Sequence, residues 1–210
     1  MRQVAGRPTL VDTSVGPAGV TRSPGTRGSI VLGHGAGGLR WTADLLAVRE
    51  AAAAAGWASV LVDQPWRIAG RRVAAPARTL DLAWLEVLAT LGELPRPLIV
   101  AGRSAGARVA CRTAQEVNAD GVLCVAFPLH PPGKPETSRA DELISPAAHG
   151  IPVQVIQGST DPFGSPAEVR AAAQGVDIAV TEVTGPHSLE RVAADVAAAS
   201  AAWWASIRPR

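Results

Sequence analysis

Three residues able to cooperate in acyl transfer stand in the order serine, aspartate, histidine. Ser104 lies in "GRSAG" (102–106), Asp161 in "GSTDPFG" (158–164) and His187 in "GPHSLE" (185–190). A serine hydroxyl is a poor nucleophile near neutral pH. It needs an imidazole to take its proton, and the imidazole needs a carboxylate to hold its orientation. The first stretch fits G-x-S-x-G, in which small residues flank the serine because a sharp strand-to-helix turn brings backbones too close for larger side chains. Such a turn places Ser104 at a helix N-terminus, where backbone N–H groups favour negative charge. Acyl transfer also needs donors for the developing oxyanion. "HGAGG" (34–38) offers one backbone N–H, from Ala36 or Gly37, and Ala105 offers the second. His34 opens that segment and is expected to orient it rather than to act as the base.

Each of these residues also has a plainer reading. Ser104 could cap a helix, and Asp161 precedes a proline, as turn aspartates often do. Asp63 follows its own apolar run and is a rival carboxylate. His187 could be an exposed loop histidine. His130, in "FPLHPPGKP", either lines a pocket or fixes a proline-rich loop; Trp66 and Phe163 either wall an acyl pocket or are packing material. Arg103 could meet an anionic substrate group, although the expectation leans to an arginine that is solvated or paired within the structure.

What separates the readings is position, and position depends on the elements that carry these residues. Apolar runs at 29–32, 58–63, 97–102, 121–127, 153–158 and 177–183 alternate with amphipathic, Ala-rich stretches at 42–55, 77–92, 105–117, 166–174 and 188–206. This is the pattern of a parallel sheet covered by helices on both faces. Thr42, Asp44 and Gly56 bracket the first helix, while Ser165 and Pro166 suit the start of the fourth. Residues 1–28, rich in Gly, Pro, Ser and Thr, read as an irregular segment of edge strands and turns around "TLVDTSV" and "GVTR". Two long segments, 63–78 and 128–152, are read as loops. In an open parallel sheet, ligands gather where strands end, and Ser104, Asp161, His187 and "HGAGG" each come after a different strand.

The chain has 210 residues, enough for one domain with a substantial core. Its net charge of +2, with arginines scattered along the sequence, points away from nucleic acid. No apolar run approaches the roughly 18 residues that span a bilayer, and the N-terminus lacks a signal-peptide core, so a cytoplasmic location without membrane contact is expected. Cys111 and Cys124 fall on a helix and a strand expected to be buried, where thiols act as small hydrophobes. The chemistry needs no metal and no organic cofactor. The oligomeric state is unspecified.

In their order, "HGAGG", "GRSAG", "GSTDPFG" and "GPHSL" make residues 29–204 resemble the α/β-hydrolase superfamily. The likeness is to its small, nearly lidless branch, which includes dienelactone-hydrolase-like proteins. "LGHGAGG", "GRSAGARVA" and "FPLHPPGKPE" resemble more closely the KANL/Tex-type α/β-hydrolase-like domain. The resemblance implies an α/β-hydrolase fold, with Ser104 as nucleophile, Asp161 as acid and His187 as base. Dienelactone hydrolases carry cysteine at the nucleophile position, so Ser104 speaks for esterase chemistry instead. The expected activity is hydrolysis of small-molecule esters or thioesters of small to medium acyl groups through an acyl-enzyme, at a shallow, open site. A catalytically silent binding or scaffold module and an acyltransferase are the alternatives.

Overall fold

The computed structural model describes residues 7–210. Eight strands form one sheet in the order β1-β2-β4-β3-β5-β6-β7-β8. The two N-terminal strands, β1 (Thr9–Val11) and β2 (Ala18–Ser23), lie at one edge, and β2 pairs antiparallel with β4 (Ala58–Asp63). The β1–β2 pair is antiparallel as well, and the remaining neighbours are parallel: β3 (Ser29–Gly33), β4, β5 (Leu98–Arg103), β6 (Gly121–Val125), β7 (Val153–Gly158) and β8 (Ile178–Val183). The expected strands thus agree to within a residue or two. Residues 1–6 of the N-terminal segment lie outside the described residues.

The strand sequences account for a core on each face. Side chains alternate along a strand, so Val31, Val60, Val100, Val122 and Val155 point to one side, while Ile30, Leu61, Ile99, Leu123 and Ile156 point to the other. The valine side is covered by α3 (Ala77–Thr90), α4 (Ala105–Thr113), α5 (Ala140–Ala148) and α6 (Pro166–Ala172). On the isoleucine and leucine side lie α1 (Ala43–Ala54) and α7 (Ala193–Trp204). Trp204 packs there on Trp57, with ring centroids 5.9 Å apart. Cys111 and Cys124 are buried and free, their sulfurs 3.4 Å apart. That contact and burial push the Cys124 thiol well up from its ordinary range.

Several expectations need correction. The segment after β4 contains a four-residue helix, α2 (Pro65–Ile68), and the segment after β6 contains α5. The prolines around and inside α5, including Pro146, hide its apolar face in the sequence; Leu143 is nevertheless fully buried. Ionic contacts pin α5 down: Glu142 takes Arg108 and Arg112 of α4, and Arg112 also reaches Asp81 of α3. The helix expected over 105–117 ends at Thr113, and that over 188–206 divides into a 3-10 turn, Glu190–Val192, and α7. Thr42 occupies the first cap position without a side-chain cap bond, and Asp44, at the expected helix start, is wholly buried. The start of α6 matches its expectation. Ser165 accepts from the Glu168 N–H while Glu168 accepts from the Ser165 N–H, a reciprocal capping box with Pro166 at the first position.

Candidate active site

The turn between β5 and α4 is built by exclusion of side chains. Gly102 pairs with Gly33 of the adjacent strand, and a Cβ at Gly102 or Gly106 would overlap backbone atoms of Gly106 or of Gly33 respectively. Between them Ser104 adopts φ 53° and ψ −113°, which L-residues rarely occupy. Packing holds it there, helped by the bond from its N–H to Val125 O at 3.0 Å. The turn lifts the hydroxyl above the strand ends, where the half-buried Ser104 meets His187.

His187 Nε2 lies 2.9 Å from Ser104 Oγ, and Nδ1 lies 2.8 Å from Asp161 Oδ2. With Asp161 ionised, Nδ1–H donates to the carboxylate and Nε2 is left to accept from the serine O–H. The Asp161 side chain is fully buried, and two further donors engage its oxygens. Gln157 Nε2 donates to Oδ2 at 3.0 Å, and the Phe163 N–H donates to Oδ1 at 2.9 Å. Loops after β7 and β8 are tied together by backbone bonds from Ser159 to Val183 and from Thr160 to Gly185. Phe163 stacks against the imidazole with ring centroids 4.3 Å apart. The structure therefore brings Ser104, Asp161, His187 and Phe163 together.

The remaining residues fall around this group in different ways. Arg103 turns away from solvent, forming an ion pair with buried Asp44 at 3.2 Å and donating to His187 O at 3.2 Å. It is paired within the structure, as the sequence expectation leaned. His130 ties loops together: its ring contacts Pro131 O and Glu168, and its N–H donates to Phe163 O. Asp63 is committed elsewhere, to Arg67 at 3.2 Å and to the Trp41 indole at 3.4 Å. Burial pushes the Asp63 carboxyl up and the Arg67 guanidinium down from their ordinary values, against their mutual attraction.

His34 is buried and bridges two loops. Its Nδ1 donates to Gly35 O at 2.8 Å, and its Nε2 accepts from the Gln64 N–H at 3.0 Å. Burial, reinforced by Arg67, lowers its pKa to about 4, which keeps the ring neutral and this tautomer in place at neutral pH. Ala36 and Gly37 are exposed. Gly35 runs beside the serine, where a Cβ would come 3.5 Å from Ser104 Cβ. The Ala105 N–H belongs to the first turn of α4, whose N–H groups have no partner within the helix. Trp66 is buried, edge-on to His34 with centroids 5.3 Å apart. It helps to line a narrow cavity of about 10 Å³ that reaches Gly35 and Ala105.

Sequence reasoning missed Asp44, Gln157 and Gln64. A signal existed for Gln157, a polar residue in the otherwise apolar "VQVIQG" four positions before the aspartate. For Asp44 the helix-start reading concealed a buried role, and Gln64 looked like an ordinary loop residue.

The comparisons agree with the fold. A family model described as "Alpha/beta hydrolase domain" matches residues 26–206. Among solved structures, an alpha-beta serine hydrolase homologue from Coxiella burnetii has a TM-score of 0.77 at 14% identity, covering 96% of this chain and 98% of that one. A serine hydrolase without lid from Xanthomonas campestris has a TM-score of 0.72 at 15% identity, covering 100% and 99%. A thioesterase domain from the curacin biosynthetic pathway has a TM-score of 0.70 at 14% identity, covering 93% and 99%. No curated protein matches the chain by sequence. Among the described residues, no helix is long and apolar enough to cross a membrane. With six of the eight strands and all the site-bearing loops inside the matched span, the chain belongs to the alpha/beta hydrolase domain family.

Proposed function

We propose that the protein is a serine hydrolase that cleaves esters or thioesters of small to medium acyl groups through an acyl-enzyme. Ser104 Oγ attacks the carbonyl carbon while its proton passes to His187 Nε2, and Asp161 stabilises the imidazolium that results. Backbone N–H groups of Ala36 and Ala105 take the oxyanion. Collapse of the tetrahedral intermediate breaks the C–O or C–S bond, and His187 returns the proton to the leaving alcohol or thiol. Water then attacks the acyl-enzyme, giving its proton to His187, and the second collapse frees the carboxylic acid and restores Ser104. The neutral imidazole is the competent base, because only an unprotonated Nε2 can accept the serine proton.

The observation that carries this reading is the position of His187, within hydrogen-bond reach of both Ser104 (2.9 Å) and Asp161 (2.8 Å). The test is labelling with a fluorophosphonate probe, followed by turnover of p-nitrophenyl esters of rising chain length. Wild type is expected to label. Ser104→Ala is expected to lose labelling and at least about 10³-fold in turnover while keeping its fold. A folded wild type that neither labels nor turns over ester would make the protein a silent binding module. Transfer of the acyl group to an added alcohol in preference to water would make it an acyltransferase.

A further inference from the structure

The glycine-rich segment after β3 is tied at its ends and loose between them. Residues 36–40 are exposed, and a Cβ at Gly37 or Gly38 would meet nothing within 4 Å. Among the described residues, 36–41 make no hydrogen bond from backbone to backbone. His34 at one end binds the Gln64 N–H, and the Trp41 indole at the other reaches Asp63, so both of these ties run to β4 and the loop after it. The tie to the loop that carries His187 is separate. Arg40 Nη1 and Nη2 donate to Glu190 Oε2 and Oε1 at 2.7 and 2.9 Å, and the Ala43 N–H donates to Oε2 at 3.3 Å. Glu190 stands three positions after His187 and next to Leu189, whose side chain is fully buried, so the core holds this carboxylate in place. It also gives the start of α1 a bond that the Thr42 side chain does not make. Bonding to Arg40 holds the Glu190 carboxyl below its usual range, which keeps the pair ionised at neutral pH.

An exposed ion pair contributes little to stability, and the Arg40 side chain is 59% exposed. Its place in the chain gives it a different use. Arg40 lies four residues after Ala36, in a segment with no other tie toward His187 among the described hydrogen bonds. We propose that Arg40 and Glu190 are positioning residues for hydrolysis, their two-pronged pairing setting the Ala36 N–H at a fixed place relative to His187. This rests on the reading that Ser104 is acylated and that Ala36 serves the oxyanion. Small misplacements of a catalytic group cost rate steeply, and loss of one oxyanion donor costs about 10²–10³ in kcat. Loosening one donor while Ala105 keeps its own predicts a smaller loss, about tenfold. Acylation and deacylation both pass through an oxyanion, so both slow together and KM changes little.

Arg40→Met keeps the length of the side chain and removes its donors. Glu190→Gln keeps an acceptor for the Ala43 N–H but no longer offers two carboxylate oxygens to Arg40. Both single variants and the double variant are compared with wild type for p-nitrophenyl acetate turnover, fluorophosphonate labelling and urea midpoint. Arg170→Met, which breaks the exposed pair with Glu182 of β8, is the control and is expected to keep wild-type kcat. Each single variant is expected to label at Ser104, keep its urea midpoint, lose about tenfold in kcat and hold KM within about threefold. The double variant should lose no more than either single one, because the two side chains act as one device. Wild-type kcat in both single variants, or losses that multiply in the double one, would overturn the pairing alone. A fall in kcat that follows a fall in urea midpoint would show that the pair only supports the fold, and would overturn it too. Absence of labelling in wild type would instead overturn the nucleophile on which the proposal depends.

Discussion

At the residue scale, Arg103 joins two tasks that sequence inspection keeps apart. It is the variable position of G-x-S-x-G, yet its guanidinium holds buried Asp44 and the backbone oxygen of His187. Removing one partner of a buried ion pair leaves an uncompensated charge, which costs about 3–5 kcal/mol. Arg103→Leu is therefore expected to destabilise the protein by about that amount in urea unfolding and to lower kcat more than it raises KM. Adding Asp44→Asn should return most of the stability without restoring kcat, since the bond to His187 O stays lost. Recovery of both together would show that Arg103 only supports the fold. Phe163 acts near the same ring, stacking against His187 while its N–H anchors Asp161, so one residue fixes both neighbours of the proton path.

At the element scale, the elbow and the helices around it depend on close backbone approach. A methyl group at Gly106 would overlap the carbonyl of Gly33, and neither backbone can yield without breaking the β3–β5 register. Gly106→Ala is expected to cost about 3 kcal/mol or more, measured by urea midpoint, with loss of probe labelling at Ser104. Ester turnover surviving at the wild-type level would show that the turn can relax. The segment 128–152 is a further case. Instead of an open loop it places α5 against α4 through Glu142, Arg108 and Arg112, covering the valine core and not the serine.

At the scale of the whole molecule, the site lies where the strand order reverses. From β3 the chain crosses to β4 on one side and then to β5 on the other, so the loops after β3 and β5 diverge and leave a crevice at the strand ends. His34 fastens this crevice by joining the loop after β3 to the one after β4, and its burial links the fastening to global stability. Its pKa is lowered to about 4 from an ordinary 6.5, so between these values the unfolded chain binds a proton that the folded one refuses. The stabilisation is complete above about pH 6.5 and is lost as pH falls toward 4, by about 2 kcal/mol between pH 7 and pH 5. Urea midpoints across this range should show that loss, and His34→Gln should flatten it. An equal slope in both proteins would place the acid sensitivity elsewhere.

The parallel sheet, the positions of its central strands and the residues at the end of each strand are legible in the order of amino acids alone. These depend on local alternation of apolar side chains and on turns that only small residues can make, and both are written in short stretches such as "SIVLG" and "GRSAG". Every strand of the parallel set runs the same way, so the order of residues along the chain was enough to gather Ser104, Asp161 and His187 at one edge. Which side chains meet across long separations depends on the packed fold. Arg103 with Asp44, Gln157 with Asp161, and His34 with the Gln64 backbone are set by how helices and loops seat on the sheet. The packed fold also decides that α5 is a helix at all, because burial of Leu143 and the ionic contacts of Glu142 outweigh a proline-rich local sequence.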